Sequence, residues 1–341
     1  MQSNILVVLS FTSETNFWLV NELQKKGNQV YVLVNKYAQS EDFFSKRFKD
    51  VVRKRLAFFS LGWLAHKKCR NCEKVIFWNW ESVFLFVIRD YLAIRACKAE
   101  ILALHLILLD TTLLKRLFWL TMFSIVKWHP NLKFAVNSAY EINLYSKKYK
   151  IPQSKLVILP DSYEYKDLPD RGLLDSVIST PKTVFCGGAS RDWHTYFEVA
   201  CRLPDYHFIA IAMRKQFHVD MTIPNNVELW FDTTTEFFYC KLYQASLVCL
   251  PLLRKEACGL IVATKAAKLK KPLVVTDTPN MRNYICHNEN GVLVSMKNVD
   301  EIVAAIRAIE KESFRNKLIN NMAVDIEEHS PKNYAANILK L

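Results

Sequence analysis

The chain has 341 residues, 51% of them hydrophobic, and a formal net charge of +13. That length exceeds one typical domain and fits two, each with enough apolar content for its own core. Its nine cysteines are odd in number and irregularly spaced, so they read as reduced, buried thiols of a cytosolic protein and exclude a disulfide framework. The charge is uneven: residues 1–165 hold 24 Lys+Arg against 13 Asp+Glu (+11), and the remainder holds 22 against 20 (+2). A basic half attracts anionic lipid, acidic polymers or nucleic acid. With no RNA- or DNA-binding motif behind the charge, no nucleic-acid partner is expected.

In chain order, Met1 is followed almost at once by a strand, Ile5–Leu9, so no signal peptide is expected. A helix over Ser13–Lys26 and a strand over Gln29–Val34 follow. Residues 46–70 hold nine Lys/Arg and one acid, Asp50, interleaved with Phe48, Val51, Val52, Leu56, Phe58, Phe59 and Trp63. A basic amphipathic stretch of this kind suits an anionic membrane surface, with Lys46, Arg47, Lys49, Arg53, Lys54 and Arg55 as its contacts. Cys69 and Cys72 form a single Cys-x-x-Cys after His66; without a second pair it reads as free cysteines, and no metal is expected. Strands are predicted at Lys74–Phe77 and Ile101–His105. His105 at a strand's carboxyl end is either a satisfied core histidine or a ligand-facing one, and both readings stand. The apolar region 101–126 is broken by Asp110, Lys115 and Arg116, so no run reaches the ~20 residues that span a bilayer. The protein is therefore expected to be soluble or peripheral, with Leu113–Trp128 packed in the core. A strand at Lys133–Val136, a helix at Ala139–Lys150 and a strand at Leu156–Leu159 complete this half. Pro160–Pro181, with three prolines and five acids, reads as a linker.

The second half repeats the alternation. Strands are predicted at Thr183–Gly187, His207–Ala212, Asn226–Leu229, Leu247–Leu250, Leu273–Val275 and Gly291–Val294. Helices are predicted at Trp193–Arg202, Thr234–Gln244, Gly259–Lys270 and Val299–Ile309. Short apolar strands alternating with helices predict parallel sheets covered on both faces. The fold class is α/β, with two Rossmann-like doubly wound domains facing a cleft.

Two constellations carry chemistry. Gly187-Gly188 followed by Arg191 offers backbone N–H groups and a guanidinium suited to a diphosphate. The competing reading is an ordinary strand-to-helix turn with Asp192 as N-cap. Glu256 stands three residues before Gly259, which opens an apolar-periodic helix. A glycine admits close approach, the helix start favours phosphate, and the carboxylate can accept hydrogen bonds from sugar hydroxyls.

The order strand-Gly-Gly-x-x-Arg-Asp, helix, Glu-x-x-Gly-helix, Lys271-Pro-Leu-Val-Val-Thr-Asp277 and Asn290-Gly-Val-Leu-Val294 resembles GT-B glycosyltransferases, specifically family 4-like retaining enzymes, over Thr183–Ile309. The resemblance implies an acceptor-binding domain (1–165), a linker (166–180), a nucleotide-sugar domain (181–325) and a C-terminal helix (326–341) packing back on the first domain. It also implies catalytic roles for His105, Glu256 and Arg191, and donor binding by Gly187, Gly188, Arg254, Gly259, Leu260, Ile261, Thr264 and Lys265. The family's second glutamate falls on Thr264, and the glycine-rich loop after the first strand is replaced by Ser10-Phe11-Thr12-Ser13. The implied activity is metal-independent, retaining transfer of a sugar to a glycan or lipid-linked acceptor of envelope polysaccharide or glycolipid synthesis. A UDP- or GDP-sugar is the substrate, no cofactor is implied, and the place of work is the cytoplasm or the membrane's inner face. The alternatives are an epimerase or hydrolase on the same architecture, and a degenerate non-catalytic scaffold or glycan-binding protein.

Overall fold

A computed structural model describes residues 3–39, 48–94, 96–108, 112–162, 177–218, 220, 222–256 and 258–341. Lys46 and Arg47 of the basic set, and most of the predicted linker, lie outside them. The chain forms two compact units, Met1–Asp161 with Pro331–Leu341, and Ser162–Ser330.

The first unit is built on six parallel strands: β1 (Asn4–Leu9), β2 (Gln29–Val34), β3 (Lys74–Phe77), β4 (Glu100–Ala103), β5 (Leu132–Val136) and β6 (Leu156–Ile158), in the order β2-β1-β3-β4-β5-β6. Strand side chains alternate in direction, and here both directions are covered. Leu6, Val8, Val75, Phe77, Ile101 and Ala103 point into one core. It is closed by α2 (Phe48–Lys68), α3 (Val83–Tyr91), α4 (Leu113–Val126) and α5 (Ala139–Tyr149). Ile5, Val7, Leu9, Ile76 and Leu102 point into the other, closed by α1 (Trp18–Lys25) and a C-terminal helix (Pro331–Lys340). That helix is tied down at its carbonyl end, where the dipole favours cations. Lys74 Nζ donates to the Ile338 carbonyl at 3.0 Å and Lys133 Nζ to that of Leu341 at 2.8 Å. Gly62 lies where α2 crosses α3, and any Cβ there would overlap the Ser82 carbonyl oxygen.

Two expectations need correction here. The strand read as Ile101–His105 ends at Ala103, and His105 adopts a left-handed backbone (φ 54°). More consequentially, α4 is not a core helix. Phe123 and Val126 are buried, with Trp119 and Leu120 packed beside them, while Leu113, Leu114, Leu117, Phe118 and Ile125 are exposed. A helix apolar on all sides can lay only one side on a sheet, and among the described residues of this unit nothing else covers the rest.

The second unit has six parallel strands: β7 (Thr183–Gly187), β8 (His207–Ala212), β9 (Val227–Phe231), β10 (Leu247–Leu250), β11 (Leu273–Thr276) and β12 (Val292–Val294), in the order β12-β11-β10-β7-β8-β9. Helices α6 (Trp193–Arg202), α7 (Thr235–Gln244), α8 (Leu260–Lys268), α9 (Val299–Ile309) and α10 (Glu312–Glu328) follow in sequence, which makes the C-terminal helix α11. From β7 the chain winds outward through β8 and β9, then returns to β10 on the other side. The seam between β7 and β10 is the topological switch point, where open α/β sheets bind ligands at their carboxyl ends.

Lys271 lies buried just before β11, its Nζ 3.3 Å from Ser179 Oγ and 4.8 Å from the Tyr243 ring centre. Burial lowers its pKa to about 8, against about 10.4 for a free lysine. Between those values the unfolded chain holds a proton that the folded chain lacks, so stability rises with pH. Urea denaturation should therefore show stability climbing from pH 8 to 10. Lys271→Met should flatten that climb and raise stability at pH 7, by up to about 3 kcal/mol.

Candidate active site

At the switch point the loops leaving β7 and β10 are stitched together. Gly188 (φ 97°) and Ser190 (φ 60°) turn the chain through left-handed geometry, and Arg191 then forms an antiparallel bridge with Leu252. The Asp192 N–H donates to the Pro251 carbonyl at 2.9 Å and the Leu253 N–H to that of Ser190 at 3.2 Å. The Arg254 guanidinium bonds the Ser190 hydroxyl, and Gln216 accepts from the Ser190 N–H at 3.0 Å.

Arg191 is only 3% exposed. Its Nε donates to the Gly187 carbonyl at 2.8 Å and its Nη1 to that of Ala189 at 2.7 Å. The guanidinium that the sequence offers to a diphosphate is thus turned back on its own loop. Its neighbour, the Cys186 thiol, is pushed up to about 12 by burial, against the pull of Arg191. Asp192 caps α6, accepting from the Thr195 N–H at 3.2 Å and its hydroxyl at 2.9 Å. A carboxylate therefore already occupies the positive end of that helix. Thr234 and Asn298 likewise cap α7 and α9.

Helix α8 differs. It starts at Gly259 (φ 81°) without a capping side chain. A Cβ on Gly259 would stand 2.9 Å from Met281 Cε and 3.0 Å from Leu252 Cδ2, and the left-handed backbone there favours glycine. The intrahelical bonds begin with the N–H groups of Val262 and Ala263, both to the Gly259 carbonyl. Leu260 is buried, whereas Ile261 is 71% exposed on the first turn. Around this start, three charges converge on one sulfur. Burial pushes the Cys258 thiol up, Arg191 and Arg254 pull it down, and Glu256 pushes it up again. Glu256 is half-buried. The structure thus brings together Gly187, Gly188, Arg191, Arg254, Glu256, Gly259, Leu260 and Ile261. Ser190, Gln216 and Cys258 join them, and no sequence signal had marked those three.

Residues 225–324 match the family model described as Glycosyl transferases group 1. The chain has the GT-B fold. The fold is that of solved structures at low sequence identity. The catalytic domain of starch synthase IV from Arabidopsis thaliana, bound to ADP and acarbose, gives a TM-score of 0.68 at 11% identity, covering 100% of this chain and 98% of that one. Sucrose-phosphate synthase from Thermosynechococcus elongatus gives 0.67 at 11%, covering 99% and 98%. HepE of Anabaena, in complex with UDP and glucose, gives 0.65 at 11%, covering 98% of each. Comparison with curated protein sequences finds no significant match.

The other expected residues lie as follows. Thr264 Oγ1 donates back to the Ile261 carbonyl at 2.9 Å, spending its proton on its own helix. Lys265 Nζ stands 4.4 Å from the Tyr239 ring centre, on the side of α7. In the first unit, His105 Nδ1 is 2.9 Å from an Asp161 carboxylate oxygen, and its ring meets Trp78 at 4.4 Å. Its Nε2 is buried without a hydrogen-bond partner among the described residues. An unsatisfied buried nitrogen on a left-handed, non-glycine residue is costly and marks functional positions. The glycine-free loop after β1 is pinned: the buried Ser10 donates to Asn79 Oδ1 at 2.7 Å, and Asn35 donates to the Ser10 carbonyl at 2.8 Å. Of the basic set, Lys49 and Arg53 are exposed, Lys54 is half-buried, and Arg55 pairs with Glu81. Among the described residues no His/Cys/Asp/Glu group is placed to hold a metal. Cys69 and Cys97 nonetheless bring their sulfurs to 3.1 Å.

Gly259→Ala is expected to cost at least 1–2 kcal/mol, the approximate penalty for a Cβ in left-handed backbone, with steric overlap added. Gly27→Ala, also at positive φ but with open space around it, should show the backbone part alone. Urea midpoints of the two variants measure the difference.

Proposed function

We propose that this enzyme transfers a sugar from a nucleoside diphosphate to an acceptor, with the donor bound on the carboxyl end of β10 and the start of α8. The observation that carries the reading is the uncapped α8 start, beside Arg254 and Glu256. Of the four helices α6, α7, α8 and α9, α8 alone starts without a side-chain cap among the described residues. Those N–H groups and the Arg254 guanidinium receive the diphosphate and stabilise the charge that develops as it leaves. Glu256 accepts hydrogen bonds from hydroxyls of the transferred sugar. Arg191 is a positioning residue: it holds the Gly187–Ser190 loop in shape. In the first unit, the unpartnered His105 Nε2 is a candidate for binding a substrate hydroxyl. The UDP bound to HepE and the ADP bound to starch synthase IV support a nucleotide donor, with UDP or GDP as the class to test here. Charge neutralisation by Arg254 and backbone amides is the basis for assigning the reaction no metal requirement. The resemblance to family 4-like enzymes supports retention of anomeric configuration.

The acceptor assigned is a glycan or lipid-linked intermediate of envelope polysaccharide or glycolipid synthesis, used at the inner face of the membrane. The +11 charge of residues 1–165 supports it. A second reading, a non-catalytic scaffold or glycan-binding member, draws on Thr264, whose hydroxyl is bonded within α8 instead of standing in for the missing carboxylate.

Thermal unfolding against nucleoside diphosphates and their sugars, with and without EDTA, tests the reading. Donor at 100 times its dissociation constant should add about 2.7 kcal/mol to stability, unaffected by chelation. Arg254→Ala should weaken donor binding about 10- to 100-fold, the worth of a charge-assisted hydrogen bond. Glu256→Gln should keep the donor shift and lower turnover about 100-fold or more. A donor shift with no transfer to any extracted acceptor would favour the scaffold; no shift with any nucleotide would overturn the donor site.

A further inference from the structure

The described residues include 22 exposed large hydrophobics, and 13 of them fall between Val52 and Trp128. They form two stripes at helical spacing. On α4 and just past its end, Leu114, Leu117, Phe118, Ile125 and Trp128 share one side, with Leu114 78% exposed and Trp128 69%. On α2, Val52, Leu56, Trp63 and Leu64 do the same, and Leu92 and Ile94 at the end of α3 add to them. All three helices cover the same face of the first sheet, and α3 packs against both α2 and α4. These are therefore the outward sides of one helical layer.

The layer is also where the charge resides. Residues 48–128 hold 14 Lys+Arg against 6 Asp+Glu, or +8 of the chain's +13. Of the described acids, Asp50 and Asp90 are buried and Glu81 pairs with Arg55, while Glu73 and Glu100 are exposed at the starts of β3 and β4, Glu100 paired with Lys74. Lys49 and Arg53 lie along the α2 stripe, Arg116 is exposed on α4, and Lys127 stands over the Trp128 ring at 5.2 Å.

We propose that this outer face of α2, the α3 end and α4 is a docking surface for an anionic phospholipid bilayer, with the α4 stripe entering the headgroup–acyl boundary. Apolar residues with tryptophans at their edge, flanked by basic side chains, fit that boundary on both counts. A soluble polyanion matches the charge but leaves the leucines in water. A second copy of the chain matches the leucines but sets +8 against +8. No helix among the described residues is long and apolar enough to cross a membrane, so the contact is superficial. The proposal deepens the membrane part of the reading above and rests on it for its purpose, though its test needs no transfer.

Flotation of the full-length chain with vesicles of phosphatidylcholine alone, or with about one-third phosphatidylglycerol, decides it. Wild type should float with the anionic vesicles and much less with the neutral ones. A variant with Leu114→Ser, Leu117→Ser and Phe118→Ser should lose at least about tenfold in partitioning. One with Lys49→Glu, Arg53→Glu and Arg116→Glu should lose about fivefold or more for each charge. The urea unfolding transition of the first unit should be unchanged in both, which shows that they fold, and any nucleotide-induced thermal shift should be unchanged as well. Equal flotation of all three proteins, or none by wild type, overturns the proposal. So does light scattering showing a wild-type dimer that the serine variant returns to monomer. Loss of the nucleotide shift in wild type with flotation intact would sink the donor reading and leave docking standing.

Discussion

A buried guanidinium holds the switch point of the second unit in shape. Burying an arginine is expensive unless its donors are met, and Arg191 meets them with the carbonyls of Gly187 and Ala189, in the turn that leaves β7. With that turn fixed, Arg191 and Leu252 bridge, Ser190 comes under Arg254, and the β10 loop is delivered to the start of α8. The positive φ values at Gly188 and Gly259 belong to the same construction, because each turns the chain through a backbone that side-chain-bearing residues rarely adopt. The site is thus mostly backbone, supported from behind by one charge.

The proposed donor site therefore tolerates few glycines and an altered signature. Thr264 lacks the carboxylate that the resemblance predicts, and its hydroxyl is folded into the helix. The N–H groups of the α8 start are untouched by that change, since they depend on Gly259 and on the absence of a cap. Anion recognition by backbone survives side-chain drift that would abolish recognition by side chains.

Much of this was readable beforehand. The alternation of Val, Ile and Leu runs with amphipathic stretches gave the parallel sheets, because strands covered on both faces must be apolar throughout. Gly259 could be placed at a helix start from the apolar period that follows it. What could not be read is direction. The letters Gly-Gly-Ala-Ser-Arg-Asp are compatible with a guanidinium pointing at a ligand or back at its loop, and with Asp192 free or capping. Three-dimensional closure with the β10 loop decides both. The misreading of α4 has a related cause. A helix apolar on every side carries no period to say which side is covered, and its sequence is the same whether other helices enclose it or lipid does.

The first unit is discontinuous, and this governs its birth as well as its shape. One of its two cores includes Tyr334, Ala335 and Ile338, held in place by Lys74 and Lys133. On the ribosome, β1 and α1 emerge before the second unit, yet the face they build stays open until α11, which follows that unit, is synthesised. The second unit, contiguous from Ser162 to Ser330, has all its strands available earlier. Order of synthesis and order of completion are therefore reversed, contrary to the usual N-terminal-first sequence. During that interval the nascent chain presents an open apolar core face, so chaperone demand should be concentrated there, and truncation near residue 330 should harm the half of the protein farthest from it in sequence.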